Sequence, residues 1–250
     1  MQHRDTDNDW EAMARSGAYY AVLTDPKFLD QNLNPAAKAE FFQGGRDHAA
    51  SILATIRSHF DPAFHPDTTV DFGCGVGRLL LGLARHSRKA IGLDVSSTML
   101  SIARQNADEQ DIPNIELLLS DDQLSELEPG YDLLNSVIVF QHIPPPRGHL
   151  LLNHLLKGLR GGGFFHVHIT FAKDRGFVEN SLRHVKTYCS RNDSIEFLEE
   201  TDAEGVIMSM YDYDLNRVFL SLLRAGVQET LVQFVDHGGC LGLGIYGRKK

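Results

Sequence analysis

Cysteine is scarce in this 250-residue chain: Cys74, Cys189 and Cys240 stand far apart and form no C-x-x-C pair. Three unpaired, widely spaced cysteines exclude a disulfide framework and give no zinc pattern. The acids and histidines also lack compact ligand spacing, so no metal is expected. Long hydrophobic runs are missing as well. No stretch approaches the roughly 20 apolar residues that cross a bilayer. The first thirty residues carry Arg4, Asp5, Asp7, Asp9 and Glu11, and contain no apolar signal-peptide core. The expectation is a soluble cytoplasmic protein with no membrane partner. Positive charge is in deficit, with 24 Lys and Arg against 33 Asp and Glu and a net charge of −9. Nucleic-acid surfaces draw on clustered Lys and Arg, so no nucleic-acid partner is expected.

What is present suits a single globular domain. About 42% of residues are hydrophobic, a normal share for a packed core. Residues 1–45 read as an N-terminal helical cap rich in aromatics, in which Asn34-Pro35 starts a short helix and Gly44-Gly45 breaks it. Ile52, Leu53, Ile56 and Phe60 then recur at helical spacing. From Thr68 onward strands and helices alternate. Strands are expected at 68–72, 90–93, 115–119, 131–139 and 164–171, with helices at 78–85, 97–108 and 149–159 and a turn at Gly161–Gly163. This order implies an α/β fold with a mostly parallel sheet and helices on both faces. Its ligand belongs beyond the carboxyl ends of the strands. Residues 173–211 read as a lid insertion, with Phe177, Val178, Leu182, Val185 and Cys189 spaced as one helical face. A helix at 215–223 leads into two strands, 229–235 and 240–246, joined by a turn at Asp236–Gly239.

The central signal is Val70-Asp71-Phe72-Gly73-Cys74-Gly75-Val76-Gly77-Arg78, running from a strand into a helix. Glycines there admit positive φ and let the backbone approach a ligand. Asp94, 21 positions after Gly73 (94 − 73), ends the second strand, where a carboxylate accepts both hydroxyls of a ribose. Dinucleotide sites usually show G-x-G-x-x-G with a pyrophosphate at the helix N-terminus. The spacing here is G-x-G-x-G, and Asp71 precedes it by two residues. An acid there repels a pyrophosphate but attracts the ammonium of S-adenosylmethionine. A nicotinamide-dependent oxidoreductase remains the alternative, as does a cofactor-binding protein of the same fold that transfers nothing.

Four stretches together resemble the class I, Rossmann-like S-adenosylmethionine-dependent methyltransferases. They are Asp71–Arg78, Gly92-Leu93-Asp94-Val95-Ser96, Leu117–Asp122, and Tyr131–Ser136 followed by Val139-Phe140-Gln141-His142. The terminal helix and hairpin fit the same pattern, so the resemblance spans residues 46–172 and 212–248. It implies a seven-stranded sheet whose last strand is antiparallel, with S-adenosyl-L-methionine as cofactor. The site it implies comprises Asp71, Gly73, Cys74, Gly75, Gly77, Asp94 and Val95, with Asp121 and Asp122 at the adenine.

His142 follows the fourth strand and is the candidate catalytic base, its ordinary pKa lying near physiological pH. The plainer role is to order the loop Ile143-Pro144-Pro145-Pro146. Those prolines do not form the Asp/Asn-Pro-Pro-aromatic sequence of many amino-methyltransferases that act on DNA bases or protein glutamine. A small-molecule or glycan-type acceptor is expected, methylated on oxygen or nitrogen. Tyr20, with Tyr19, is a candidate cover for the cofactor, with core packing the plainer reading. Arg183, His184, Lys186 and Arg191 are candidates for an anionic substrate, against a solvated charged face.

Overall fold

The structure, a computed structural model, describes residues 6–174, 176, 185–191, 194–201 and 207–250. An N-terminal helix α1 (Thr6–Val22), kinked at Gly17, is followed by α2 (Pro35–His59). Asn34 caps α2 by accepting from the Ala36 and Ala37 amides at 3.0 Å each, and Pro35 occupies the first turn. Its inner face buries Ile52, Leu53 and Ile56 fully, each worth about 1.5–3 kcal/mol. Contrary to the sequence reading, Gly44-Gly45 does not break this helix. A Cβ on Gly45 would lie 2.1 Å from the Arg78 carbonyl oxygen. The glycine therefore serves the close crossing of α2 over the chain entering the next helix, a need that no local pattern reveals.

The alternating elements are β1 (Thr68–Phe72), α3 (Leu80–Ala84), β2 (Lys89–Asp94), α4 (Ser97–Glu109), β3 (Ile115–Leu119), β4 (Tyr131–Ser136), α5 (Pro145–Gly158) and β5 (Leu159–Lys173). After the insertion come α6 (Leu215–Arg224), β9 (Val227–Asp236) and β10 (Cys240–Lys249). Among the described residues, one sheet has the order β3-β2-β1-β4-β5-β10-β9. Strands β1 to β5 pair in parallel, and β10 runs antiparallel to both β5 and β9. This is the expected α/β, Rossmann-like sheet with an antiparallel last strand. Its strands are buried because apolar residues point to both faces: Val70, Leu93, Leu134 and Phe165 are all under 2% exposed.

Three boundaries differ from the sequence reading. The expected fourth strand stops at Ser136, where the chain turns through Ile138 at φ 59 into a 3-10 turn, Phe140–His142. Helix α5 begins at Pro145, since prolines suit a first turn that has no intrahelical donors to lose. Gly161–Gly163 lie within β5 rather than in a separate turn, at a shift in the β4–β5 register.

The 173–211 insertion is a correction of another kind. It contains a small antiparallel sheet of β6 (Val185–Arg191), β7 (Ser194–Thr201) and β8 (Ile207–Tyr211), in the order β6-β7-β8. The helix expected over 177–189 is replaced by strand from Val185 on, since non-local pairing overrides a helical spacing of apolar residues. Residues 177–184, including Arg183 and His184, lie outside the described residues, as do the side chains of Lys186 and Arg191. Among the described residues, no helix is long and apolar enough to cross a membrane.

Candidate functional site

The carboxyl ends of β1, β2 and β4 converge on a pocket. β1 sits between β2 and β4, with Asp71 opposite Gly92 on one side and Asn135 on the other. The turn leaving β1 is pinned by the Gly73 and Cys74 amides, which donate to the Leu93 carbonyl at 2.8 and 2.9 Å. Gly73, Gly75 and Gly77 all have positive φ, at 73, 53 and 88°. At Gly75 the reason is plain: the turn must bring its N–H onto the Asp94 carboxylate while its Cα faces Val22 of α1.

Asp94 ends β2 and is held from both sides. Its Oδ2 accepts from the Gly75 amide at 2.8 Å and its Oδ1 from the Ser96 amide at 2.9 Å. Each oxygen keeps lone-pair capacity toward the pocket, which suits a pair of ligand hydroxyls. Burial raises its pKa to about 6. Asp71 is 3% exposed, and burial raises its pKa to about 7, with the charge of Asp94 adding to the effect. Two hydrogen bonds oppose this shift, the larger from Asn135 Nδ2 to Asp71 Oδ1 at 2.7 Å and the smaller from the Leu80 amide. Asn135 Oδ1 accepts in turn from His166 Nδ1 at 3.0 Å. Among the described residues neither Asp71 nor Asp94 has a Lys or Arg partner.

The pocket gathers most of the residues singled out in the sequence. Asp71, Gly73, Cys74, Gly75, Asp94, Val95 and His142 all line it. Gly77, Tyr20, Asp121 and Asp122 do not. Gly77 closes the turn, its amide donating to Cys74 O at 2.9 Å. Asp121 folds back on its own loop, accepting from the Gln123 and Ser125 amides at 2.9 and 3.0 Å. Tyr20 is half-buried away from the pocket, and Tyr19 packs against Phe41 and Phe42 while donating to Asn106 Oδ1 at 2.6 Å. Cys74 is buried, and burial pushes its thiol pKa well up, so no thiolate is available there.

His142 is 5% exposed and closes the far side of the pocket against Trp10, with ring centroids 4.9 Å apart at 73°. Its Nδ1 lies 3.0 Å from the Ser209 carbonyl on β8, which can only accept, so Nδ1 carries the proton. Its Nε2 receives the Gln141 side-chain amide at 3.0 Å, and Gln141 Oε1 accepts from Thr170 at 2.8 Å. The insertion thus reaches the site through His142.

Two residues with no sequence signal hold α1 over this pocket. Arg147 on α5 clasps both carboxylate oxygens of Asp7, at 2.5 and 2.7 Å, and also bonds Asp122 at 2.6 Å. Glu11 accepts from the Ser96 and Thr98 hydroxyls at 2.6 Å each, and these hydrogen bonds lower its pKa to about 2. Both links join positions more than 80 apart in the chain. Nothing local marks them.

Among the described residues, no group of three or more His, Cys, Asp or Glu side chains is placed to hold a metal ion. A cationic organic cofactor fits the acidic pole better. S-adenosylmethionine brings an ammonium and a sulfonium to two uncompensated carboxylates and two ribose hydroxyls to Asp94. A pyrophosphate would add negative charge to that same pole.

Comparison with known proteins agrees with this geometry. Residues 69–163 match the family model described as a methyltransferase domain. A ubiquinone biosynthesis O-methyltransferase of Hydrogenovibrio crunogenus is 27% identical over 144 residues, covering 56% of this chain and 58% of that protein. An uncharacterized RNA methyltransferase of Nostoc sp. is 31% identical over 108 residues, covering 43% of this chain and 22% of that one. The matches thus span about three-fifths or less of these relatives' own length. Among solved structures, magnesium protoporphyrin IX methyltransferase from Synechocystis PCC 6803 with bound S-adenosylmethionine superposes with a TM-score of 0.64. It shares 15% identity with full coverage of both chains, a likeness of fold. Residues 69–163 thus carry a methyltransferase domain, and from the glycine turn to the antiparallel last strand the fold is that of the S-adenosylmethionine-dependent methyltransferases.

Proposed function

We propose that the protein transfers a methyl group from S-adenosyl-L-methionine to an oxygen or nitrogen of a small-molecule or glycan-type acceptor. The observation that carries this reading is the pair of carboxylates lining the pocket, Asp71 buried and Asp94 half-buried, with no cationic partner among the described residues. When bound, the cofactor supplies an electrophilic methyl group on a sulfonium. In this reading Asp71 holds the ammonium, Asp94 the ribose hydroxyls, and Val95 with Met99 forms an apolar wall beyond the carboxyl end of β2, all four lining the pocket. Gly73 and Gly75 let the turn pack closely against Val139 and Val22, which line the same pocket. Asp121 and Asp122 remain the proposed adenine contacts, Asp122 by way of the Arg147 link to the pocket rim.

The acceptor atom takes the methyl group in one in-line displacement. Its proton is assigned to His142, whose Nε2 is the imidazole atom able to receive it once the acceptor replaces the Gln141 amide. Positioning supplies much of the rate, because α1 and Trp10 enclose the pocket and hold the reactants together. The net charge of −9 favours a small acceptor over nucleic acid, and the ubiquinone relative acts in small-molecule biosynthesis by its name.

Two measurements test the reading. Calorimetric titration with S-adenosylmethionine and with NAD should give binding for the first and none for the second; the reverse result overturns the proposal. Turnover to S-adenosylhomocysteine against a panel of hydroxyl and amine acceptors then separates an enzyme from a binding protein.

A further inference from the structure

Strand β5 sorts its side chains by face. Phe165, Val167 and Ile169 enter the main apolar core, while His166, His168 and Thr170 alternate onto the face toward α2. His166 is accounted for by its bond to Asn135 and its stack on Tyr246 at 4.3 Å. Thr170 holds Gln141. His168 is different: it is 2% exposed, and neither ring nitrogen has a hydrogen-bond partner. Its ring meets His237 edge-on at 4.7 Å, and His237 Nε2 is likewise buried without a partner. Native proteins seldom leave such atoms unsatisfied, and those that do are commonly holding a place for water, an ion or a ligand.

The same region contains a charge without a counter-charge. Arg78 lines the pocket, its guanidinium lies 5.7 Å over the Phe41 ring, and its Nε is buried without a partner. No carboxylate pairs with it among the described residues. Burial lowers the pKa of His48, and the charges of Arg78 and His237 lower it further; burial likewise lowers that of His168, with His237, His142 and His48 adding to it. Asp236 is the acid that acts on this group, and it does so at His237. Geometry joins the group to the pocket: a Cβ on Gly44, one turn before His48 on α2, would lie 3.1 Å from the Arg78 guanidinium, the His48 ring is 6.3 Å from that of His166, and Thr170, on the same face of β5 as His168, bonds Gln141 beside His142 of the pocket wall.

We propose that Arg78, His48, His168 and His237 form an acceptor-side subsite that receives a carboxylate group of the methyl acceptor. This rests on the methyltransferase reading and narrows it to acidic acceptors. A carboxylate there would accept from the Arg78 guanidinium and from the imidazole N–H groups, giving partners to the orphaned nitrogens and a counter-charge to Arg78. It would also raise the imidazole pKa values, which burial holds down: burial lowers that of His168 to about 3. The cofactor's own carboxylate has the same chemistry, and the test separates the two sources.

The probe is benzoate, with benzamide as its uncharged counterpart, titrated onto the full chain saturated with S-adenosylhomocysteine. Histidine ring resonances are followed by NMR. Benzoate should shift the signals of His48, His168 and His237 and raise their titration midpoints, and benzamide should not. Arg78→Gln and His237→Gln should each weaken benzoate about tenfold, the loss of one charge-assisted hydrogen bond, while S-adenosylhomocysteine affinity stays within twofold. His168→Gln, checked for folding by circular dichroism, should weaken it similarly. Equal shifts by benzamide, or no shift by either compound, would overturn the proposal. So would a tenfold loss of S-adenosylhomocysteine binding in Arg78→Gln, which would assign the arginine to the cofactor's carboxylate. S-adenosylhomocysteine binding is measured first, so a failure of the methyltransferase reading is seen separately from a failure of this subsite.

Discussion

The amide of Gly75 donates to the Asp94 carboxylate at 2.8 Å, joining the glycine turn to the end of the neighbouring strand. One bond therefore fixes two things: the path of the turn and the orientation of the acid that faces the pocket. Removing Asp94 undoes both. Asp94→Ala should lower S-adenosylhomocysteine affinity by about 1–3 kcal/mol, the cost of leaving buried hydroxyls and an amide without an acceptor. Gly75→Val should abolish binding, since a Cβ there meets Val22 Cγ2 at 2.8 Å with φ at 53°. Calorimetry on folded variants checks both, and an unchanged dissociation constant in either removes that residue from the site.

Asp71 and Asp94 make stability depend on pH in a definite direction. Asp71 and Asp94 have pKa values raised from 3.8 to about 7 and about 6. The folded state thus holds protons that the unfolded state has released, and their contribution is full below about pH 3.8 and is lost as pH rises toward 7. His166 and His168, lowered from 6.5 to about 3, act with the opposite sign and cost stability as pH falls below 6.5. His48 and His237, lowered by burial, act in the same direction as those two histidines. Asp71→Asn should gain on wild type with rising pH, by at most about 1.4 kcal/mol per pH unit. Urea denaturation at a series of pH values decides it, and parallel curves for the two proteins would refute the assignment.

Arg147 is the residue that ties α1 down, through Asp7 on one side and Asp122 on the other. Arg147→Gln should loosen the helix without unfolding the sheet. Trp10, the single tryptophan, lies on α1 at the pocket and reports this directly. The expected outcome is faster release of S-adenosylhomocysteine, read by stopped-flow fluorescence, with an unchanged melting temperature. Release at the wild-type rate would mean that Glu11 and the apolar contacts of α1 suffice.

His142→Ala should lower kcat by about 10²–10⁴-fold while leaving cofactor affinity nearly unchanged. His142→Gln keeps a side-chain hydrogen bond toward Ser209 but takes up no proton. If glutamine restores most of the activity, His142 positions the acceptor and the lid strand. Equal slowness of both variants supports proton transfer.

Where a site depended on chain-local order, the sequence carried it: strand, glycine turn, helix, strand and Asp94 follow one another in register, and the alternation of elements implied the parallel sheet. The identity of the cofactor was also legible, from the sign of the charge at Asp71. Tertiary structure decided what depends on residues distant in sequence. Gly44-Gly45 reads locally as a helix stop, yet only the carbonyl of Arg78 lying against Gly45 shows why a glycine is needed inside a helix. Phe177, Val178, Leu182, Val185 and Cys189 have helical spacing, but from Val185 on the pairing with Ser194–Thr201 makes the chain a strand. Glu11, Arg147 and the orphaned nitrogens of His168 carry no local signature, because a hydrogen bond or its absence is a property of two surfaces. A single segment of chain determines its own periodicity, but the groups that will face it are chosen by the packing of the whole molecule.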